Sequence, residues 1–220
     1  MDKVGFGANK IIVSVPSCET PVSVEWAVNL GGQFWPMNIT VEYSSQDGCG
    51  EDPDILRNHV AGYGLATKAR YIWFVKEDIL PPNWAIHRLL EAMRTDPRIM
   101  VIAAMSETNV PESTDFSECL RIFKDEKKNE FELLDVAPDQ HVNLECTLVK
   151  TEIFDYILEP WFKTTELVSS ASNFCHKVMK AGFKVCAFSG VLCGHIDKKT
   201  GKNVWPVDAV ISANTCDALQ

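Results

Sequence analysis

The sequence predicts an α/β fold: a mostly parallel central sheet flanked by helices. Three observations carry that prediction. Short β-branched or aromatic runs at 10–15, 71–75 and 100–104 alternate with segments of helical periodicity. The run Tyr71-Ile-Trp-Phe-Val75 contains no internal polar residue, as a strand covered on both faces requires. Turn chemistry at Gly31-Gly32, Asp47-Gly48 and Pro81-Pro82 separates these elements.

The elements follow in order. Residues 10–15 form a compact strand ended by Pro16, and 22–30 a helix stopped by the Gly31-Gly32 pair. Alternation of Ile39, Val41 and Tyr43 predicts a second strand over 38–43. Residues 55–66 carry Leu56, His59, Val60 and Tyr63 at helical spacing. After the 71–75 strand, Pro81-Pro82 breaks the chain and Asn83 is positioned to cap a helix. In that helix Ile86, Leu89, Leu90 and Met93 make one apolar stripe. Residues 100–104 are the next strand. Strand and helix repeated in this way predict right-handed crossovers.

The second half changes character. A hairpin is expected from 119–123 and 131–136, then a strand over 142–149 and a short helix from Thr151. A helix at 173–181 is closed by Gly182, and 184–193 supplies the last strands. The tail from Lys198 is expected to be irregular. No composition break marks a second domain. The reading is one domain over 1–220, with one half at about 10–105 and the other at about 106–197.

Bulk composition narrows the function. Hydrophobic residues make up 46% of the 220 and charged residues 23%, enough apolar material for a real core. The net charge of -9 disfavours a nucleic-acid partner, because phosphate neutralisation calls for basic surfaces. No apolar run approaches the roughly 20 residues that span a bilayer. With no signal segment visible after Met1, a cytoplasmic location is expected and Asn38-Ile39-Thr40 reads as a chance glycosylation sequon. The eight cysteines include no C-x-x-C pair, so they read as small buried hydrophobes rather than zinc ligands.

Chemistry concentrates at Lys76-Glu77-Asp78. Ligands of parallel sheets bind beyond the carboxyl ends of the strands. Hard oxygen ligands there suit Mg²⁺ or Mn²⁺ bridging a diphosphate. Trp161 and Phe162 offer either a sugar-stacking surface or core packing.

The stretch Tyr71-Ile-Trp-Phe-Val-Lys-Glu-Asp-Ile-Leu-Pro-Pro-Asn-Trp84 resembles the segment around the D-x-D motif of GT-A glycosyltransferases, particularly family-2-like enzymes. Other segments resemble that family in the same order. They are the first strand with Ser17, the Asp47-Gly48 turn, and the helix start Asp54-Ile-Leu-Arg57-Asn58. Glu145-Cys-Thr-Leu-Val-Lys-Thr-Glu-Ile-Phe154 resembles "G-C-x-L-I-R-R-E-V-F". Phe174-Cys-His-Lys-Val-Met-Lys-Ala-Gly-Phe183 resembles "F-C-x-x-x-x-x-A-G-F".

The resemblance implies a Rossmann-like fold and a nucleotide-diphosphate sugar donor. It also implies a Mn²⁺ or Mg²⁺ ion held by Asp78 and His195. Ser17, Asp47, Arg57, Asn58, Lys76 and Glu77 would line the donor site. The acceptor could be a glycan, protein or lipid. Two positions depart from the pattern. Lys76 stands where the first acid of D-x-D stands, and a cation there would either repel the metal or contact a phosphate directly. Ser170-Ala171 stands where Glu-Asp supplies the catalytic base, leaving Glu166 and Asp197 as candidate substitutes. Two readings follow: a metal-dependent glycosyltransferase, or a non-catalytic domain of the same fold that binds a nucleotide, glycan or protein. A nucleotidyltransferase would want a Gly-rich basic loop after the first strand, which Pro16-Ser-Cys-Glu-Thr-Pro21 is not.

Overall fold

Strand β3, Tyr71–Val75, organises the molecule, and all five of its residues are buried. The computed structural model describes residues 10–15, 23–36, 40–44, 52–106, 133–137, 140–197, 200–201 and 203–204. Before β3 come β1 (Lys10–Ser14), α1 (Val24–Gly31), β2 (Thr40–Ser44) and α2 (Pro53–Ala66). After it come β4 (Ile79–Leu80), α3 (Ala85–Arg94), β5 (Ile99–Met105), β6 (Leu133–Asp135) and β7 (Cys146–Lys150). A 3-10 turn at Thr151–Asp155 leads to α4 (Ser170–Lys180), β8 (Lys184–Leu192), β9 (Gly194–Ile196) and β10 (Asn203–Val204).

Seven strands form one sheet in the order β2-β1-β3-β7-β5-β8-β6. β1 is parallel to β2 and β3, and β5 is parallel to β8, whereas β7 is antiparallel to both β3 and β5. Five strands therefore share one direction, and β7 and β6 oppose them. A second sheet, β10-β9-β4, lies beyond the end of β3.

Alternation along β3 assigns the layers. Tyr71, Trp73 and Val75 face one cluster with Trp26 and Leu30 of α1 and Ile86, Leu89, Leu90 and Met93 of α3. Ile72 and Phe74 face the other, with Val60 and Ala61 of α2 and Phe174, Cys175 and Val178 of α4. Both faces of β3 are thus covered by helices, which explains its unbroken apolar sequence. The helix starts are set by short polar side chains. Ser23 Oγ accepts from Trp26 N (3.1 Å), Asp52 Oδ1 from Asp54 N (2.9 Å) and Ser169 Oγ from Ser172 N (3.2 Å). Gly182, at φ +88°, ends the turn after α4 in a conformation other residues avoid.

Several boundaries differ from expectation. Asn83 does not cap α3: Trp84 occupies that position without a side-chain bond, and the Asn83 carbonyl accepts from Phe34 N at 2.7 Å. The 142–149 strand begins only at Cys146. Val142 and Leu144 are 1% and 3% exposed, yet lie in irregular chain, and burial without strand pairing gives the same alternation. The first arm of the expected hairpin lies outside the described residues. Within the second arm, Leu133–Asp135 pairs with β8. Helix α4 starts at Ser170, three residues before the expected start. The tail contributes β10, which pairs with β9. Cys146, Cys175, Cys186 and Cys193 are buried free thiols, as hydrophobic packing requires.

Candidate functional site

The chain leaves β3 through a turn held from several sides. Lys76 N donates to the Glu145 carbonyl (2.8 Å). The Lys76 carbonyl accepts from Trp26 Nε1 (2.8 Å) and Ile79 N (3.1 Å). The Asp78 carbonyl accepts from Ile196 N at 2.7 Å, and β4 pairs with β9 so that Ile79 lies opposite His195. Pairing of Val75 with Cys146 places Glu145 beside Lys76. Ser106 follows β5 and is 1% exposed. The ends of β3, β5, β7 and β9 therefore converge at one edge of the sheet.

The side chains form a compact charged cluster. Lys76 Nζ lies 3.1 Å from Asp78 Oδ2 and 3.4 Å from Glu145 Oε1. His195 Nε2 is 3.6 Å from the same Asp78 oxygen. Ser106 Oγ donates to Glu145 Oε2 at 3.4 Å. Exposure is graded: the side chains of Asp78 and Glu145 are 5% and 16% exposed, those of Lys76 and His195 36% and 32%. The carboxylates lie beneath and the nitrogens lie above. Burial works against the charge on Lys76, but Glu145 and Asp78 outweigh it and hold the ammonium above its ordinary pKa.

The structure thus brings Asp78 and His195 together and places Lys76 on the carboxylate they share. That arrangement does not fit the divalent ion expected from the D-x-D resemblance. An ion on Asp78 would need oxygen contacts of about 2.0–2.6 Å. It would then crowd an ammonium 3.1 Å from the same carboxylate. Among the described residues no group of three or more His, Cys, Asp or Glu side chains could hold a metal. Glu77 is half-buried on the turn. Ser17 and Asp47 lie outside the described residues.

Arg57 and Asn58 belong to a separate network that ties α2 to the segment before α4. Asn58 Nδ2 donates to the Phe162 carbonyl (2.7 Å) while Asn58 Oδ1 accepts from Phe162 N (3.1 Å). Asp54 Oδ2 accepts from Thr164 N at 2.6 Å. Arg57 Nη1 donates to Asp54 Oδ1 and Ser170 Oγ, each at 3.2 Å. Ser170 is therefore buried against α2 in the first turn of α4. Glu166 is exposed in the segment leading to α4. Asp197 follows β9 and closes a turn, accepting from Thr200 Oγ1 at 2.9 Å. Trp161 and Phe162, at 6% and 0% exposure, are core residues.

Burial alone would raise the pKa of Asp54, but hydrogen bonds from Ser170 and Thr164 and the charge of Arg57 take it below the usual 3.8. A lowered folded-state pKa gives stability that is present above the unfolded value of about 3.9. That stability is lost as pH falls through the folded value. Asp54→Asn is expected to cost about 1.5–3 kcal/mol at pH 7, the range for hydrogen bonds to a charged group. Urea unfolding at pH 7 and at pH 3 checks this. The gap between wild type and variant should narrow at the lower pH; a constant gap refutes the electrostatic assignment.

Glu145 and Ser106 were not identified from sequence. Glu145 opens a segment matched to the family as a strand, and only the β3–β7 register shows that it lies beside Lys76.

No family model matches the chain, and no curated protein matches its sequence. Solved structures do. A197 from STIV matches at a TM-score of 0.56 and 12% identity, over 90% of this chain and 93% of that one. S. aureus TarS 1-349 in complex with UDP matches at 0.50 and 14%, over 82% of this chain and 58% of that one. The chain thus spans little more than half of that TarS fragment. At such identities the likeness shows the fold: a mixed α/β sheet flanked by helices, of the GT-A type. Among the described residues no helix is long and apolar enough to cross a membrane.

Proposed function

We propose that the chain binds a nucleoside-diphosphate sugar at the Lys76–Asp78–Glu145–His195 cluster and transfers the sugar to an acceptor hydroxyl. The observation that carries this reading is the convergence of those four side chains at the carboxyl end of β3. There nitrogen donors face solvent over a buried Asp78 and a largely covered Glu145. Displacement at the anomeric carbon builds negative charge on the departing diphosphate, and fixed donors aimed at that charge stabilise it. The neighbour solved with UDP supports the same ligand class on the same fold.

A second reading, a binding domain without transfer activity, is favoured by Ser170. At the position matched to the catalytic base, the structure has a buried hydroxyl engaged with Arg57. The two readings share a ligand and separate on turnover.

A thermal-shift panel of UDP, GDP, CDP and dTDP tests the shared part. A ligand at about 100 times its Kd stabilises the native state by about 2.7 kcal/mol. For a chain of this size that raises the Tm by roughly 5–10 °C. One nucleotide should stand out, and Asp78→Ala should diminish its shift. A flat response to all four, with and without Mn²⁺, rejects the proposal.

A further inference from the structure

We propose that the ammonium of Lys76 is the resident cation of this site, standing where a divalent ion would stand, so that a diphosphate binds here without metal. The inference rests on the nucleotide-sugar reading above and adds to it the identity of the charge that meets the phosphates.

Three observations support it. The first is position. Lys76 Nζ bridges two carboxylates from turns beside different strands, 3.1 Å from Asp78 after β3 and 3.4 Å from Glu145 before β7, which is the place of an ion shared between acidic ligands. The second is pre-organisation. Both backbone groups of Lys76 are hydrogen-bonded, to Glu145 and to Trp26 and Ile79, so the stem leaves from a fixed point. Holding the side chain between two carboxylates limits the rotamer entropy lost when a ligand arrives. The third is access. The carboxylates are nearly covered, whereas about a third of the Lys76 and His195 side chains remains open to solvent. An ammonium has three N–H donors. With two directed at Asp78 and Glu145, the third is available to a phosphate oxygen.

A divalent ion would have to evict this lysine. It would trade two charge-assisted contacts for ligation by Asp78 beside a displaced like charge. The two carboxylates outnumber the ammonium, so affinity depends on direct contact with Lys76 rather than on a positive field. It should accordingly be sensitive to the loss of that one group.

Calorimetric titration of the nucleoside diphosphate selected by the panel, in EDTA and in Mn²⁺, tests the idea. Wild type should bind equally well in both. Lys76→Ala should bind about 10- to 100-fold more weakly in EDTA, the loss of one hydrogen bond to a charged group. Lys76→Arg should keep metal-free binding, and circular dichroism with the Tm establishes that each variant is folded. If Lys76→Ala does not fold, the wild-type and Lys76→Arg titrations still decide. Wild-type binding that requires Mn²⁺, or Lys76→Ala binding undiminished in EDTA, overturns the inference and leaves the proposed function standing. Absence of binding by every nucleoside diphosphate under both conditions removes the proposed function, and the inference with it.

Discussion

Truncating Phe162 to alanine should cost about 3–5 kcal/mol, the range for emptying a buried aromatic position. Phe162 is fully buried, and its ring lies 4.6 Å from Phe174, 5.6 Å from Phe74 and 6.0 Å from Phe154. Those partners come from α4, β3 and the 3-10 turn. The cavity would therefore open where three parts of the fold meet, and no single side chain could relax to fill it. Native domains are stable by only about 5–15 kcal/mol, so this one change consumes a large share. Urea unfolding should show a lower midpoint with an unchanged slope. Phe162→Leu, which keeps most of the volume, should cost less than half as much. If the two variants are equally destabilised, the cost does not come from a cavity. It would then come from the backbone clamp between Phe162 and Asn58.

How much of this was legible beforehand depends on the range of the interaction that decides each feature. β3 was readable to the residue because both its faces are covered, and a doubly buried strand has no polar position to blur its limits. The α3 stripe was readable for the related reason that one helical face is wholly buried: Ile86, Leu89, Leu90 and Met93 all fall below 3% exposure. What failed was decided by pairing rather than by pattern. β4 has only two residues, and it exists because β9 returns to lie beside it. Val142 and Leu144 alternate like a strand but answer to burial alone.

The site was legible in part for the same reason. Asp78 could be found because a hydrophobic strand ends just before it. Its closeness to His195 was expected through the family resemblance, and the β4–β9 pairing supplies the physical cause. Lys76 could be read as a departure from D-x-D that either repels a metal or contacts a phosphate directly, but its partner Glu145, 69 positions away, is brought close only by the antiparallel register of β3 and β7. A lysine without a visible partner looks like the loss of a metal site. The same lysine between two carboxylates looks like a replacement for the ion. Arg57 and Asn58 show the converse. Their sequence context suggested a donor pocket, whereas their hydrogen bonds hold the segment before α4.

That segment bears on the largest expected effect on turnover. A well-placed general base contributes roughly 10²–10⁴-fold to a transfer reaction. Ser170 and Ala171, matched to the base position, carry no group that takes a proton near neutral pH. Ser170 Oγ is moreover committed to Arg57 and Asp54, in a position 6% exposed. The wild-type chain is therefore expected to bind donor and transfer sugar slowly. Replacing Ser170-Ala171 by Glu-Asp should raise transfer by up to that factor. The first turn of α4 suits such a change electrostatically, because a helix N-terminus favours negative charge. Arg57 supplies a cation within reach of position 170, whereas Asp54 opposes a second carboxylate there, so Ala171→Asp alone is the milder variant to compare. Product formation measured with saturating donor separates the outcomes. Glu166→Gln and Asp197→Asn are the controls, since these are the acids that could have taken over the role. Fast wild-type transfer that survives both substitutions would mean that the base comes from elsewhere. Fast transfer abolished by Glu166→Gln alone would instead require the exposed segment before α4 to close over the acceptor.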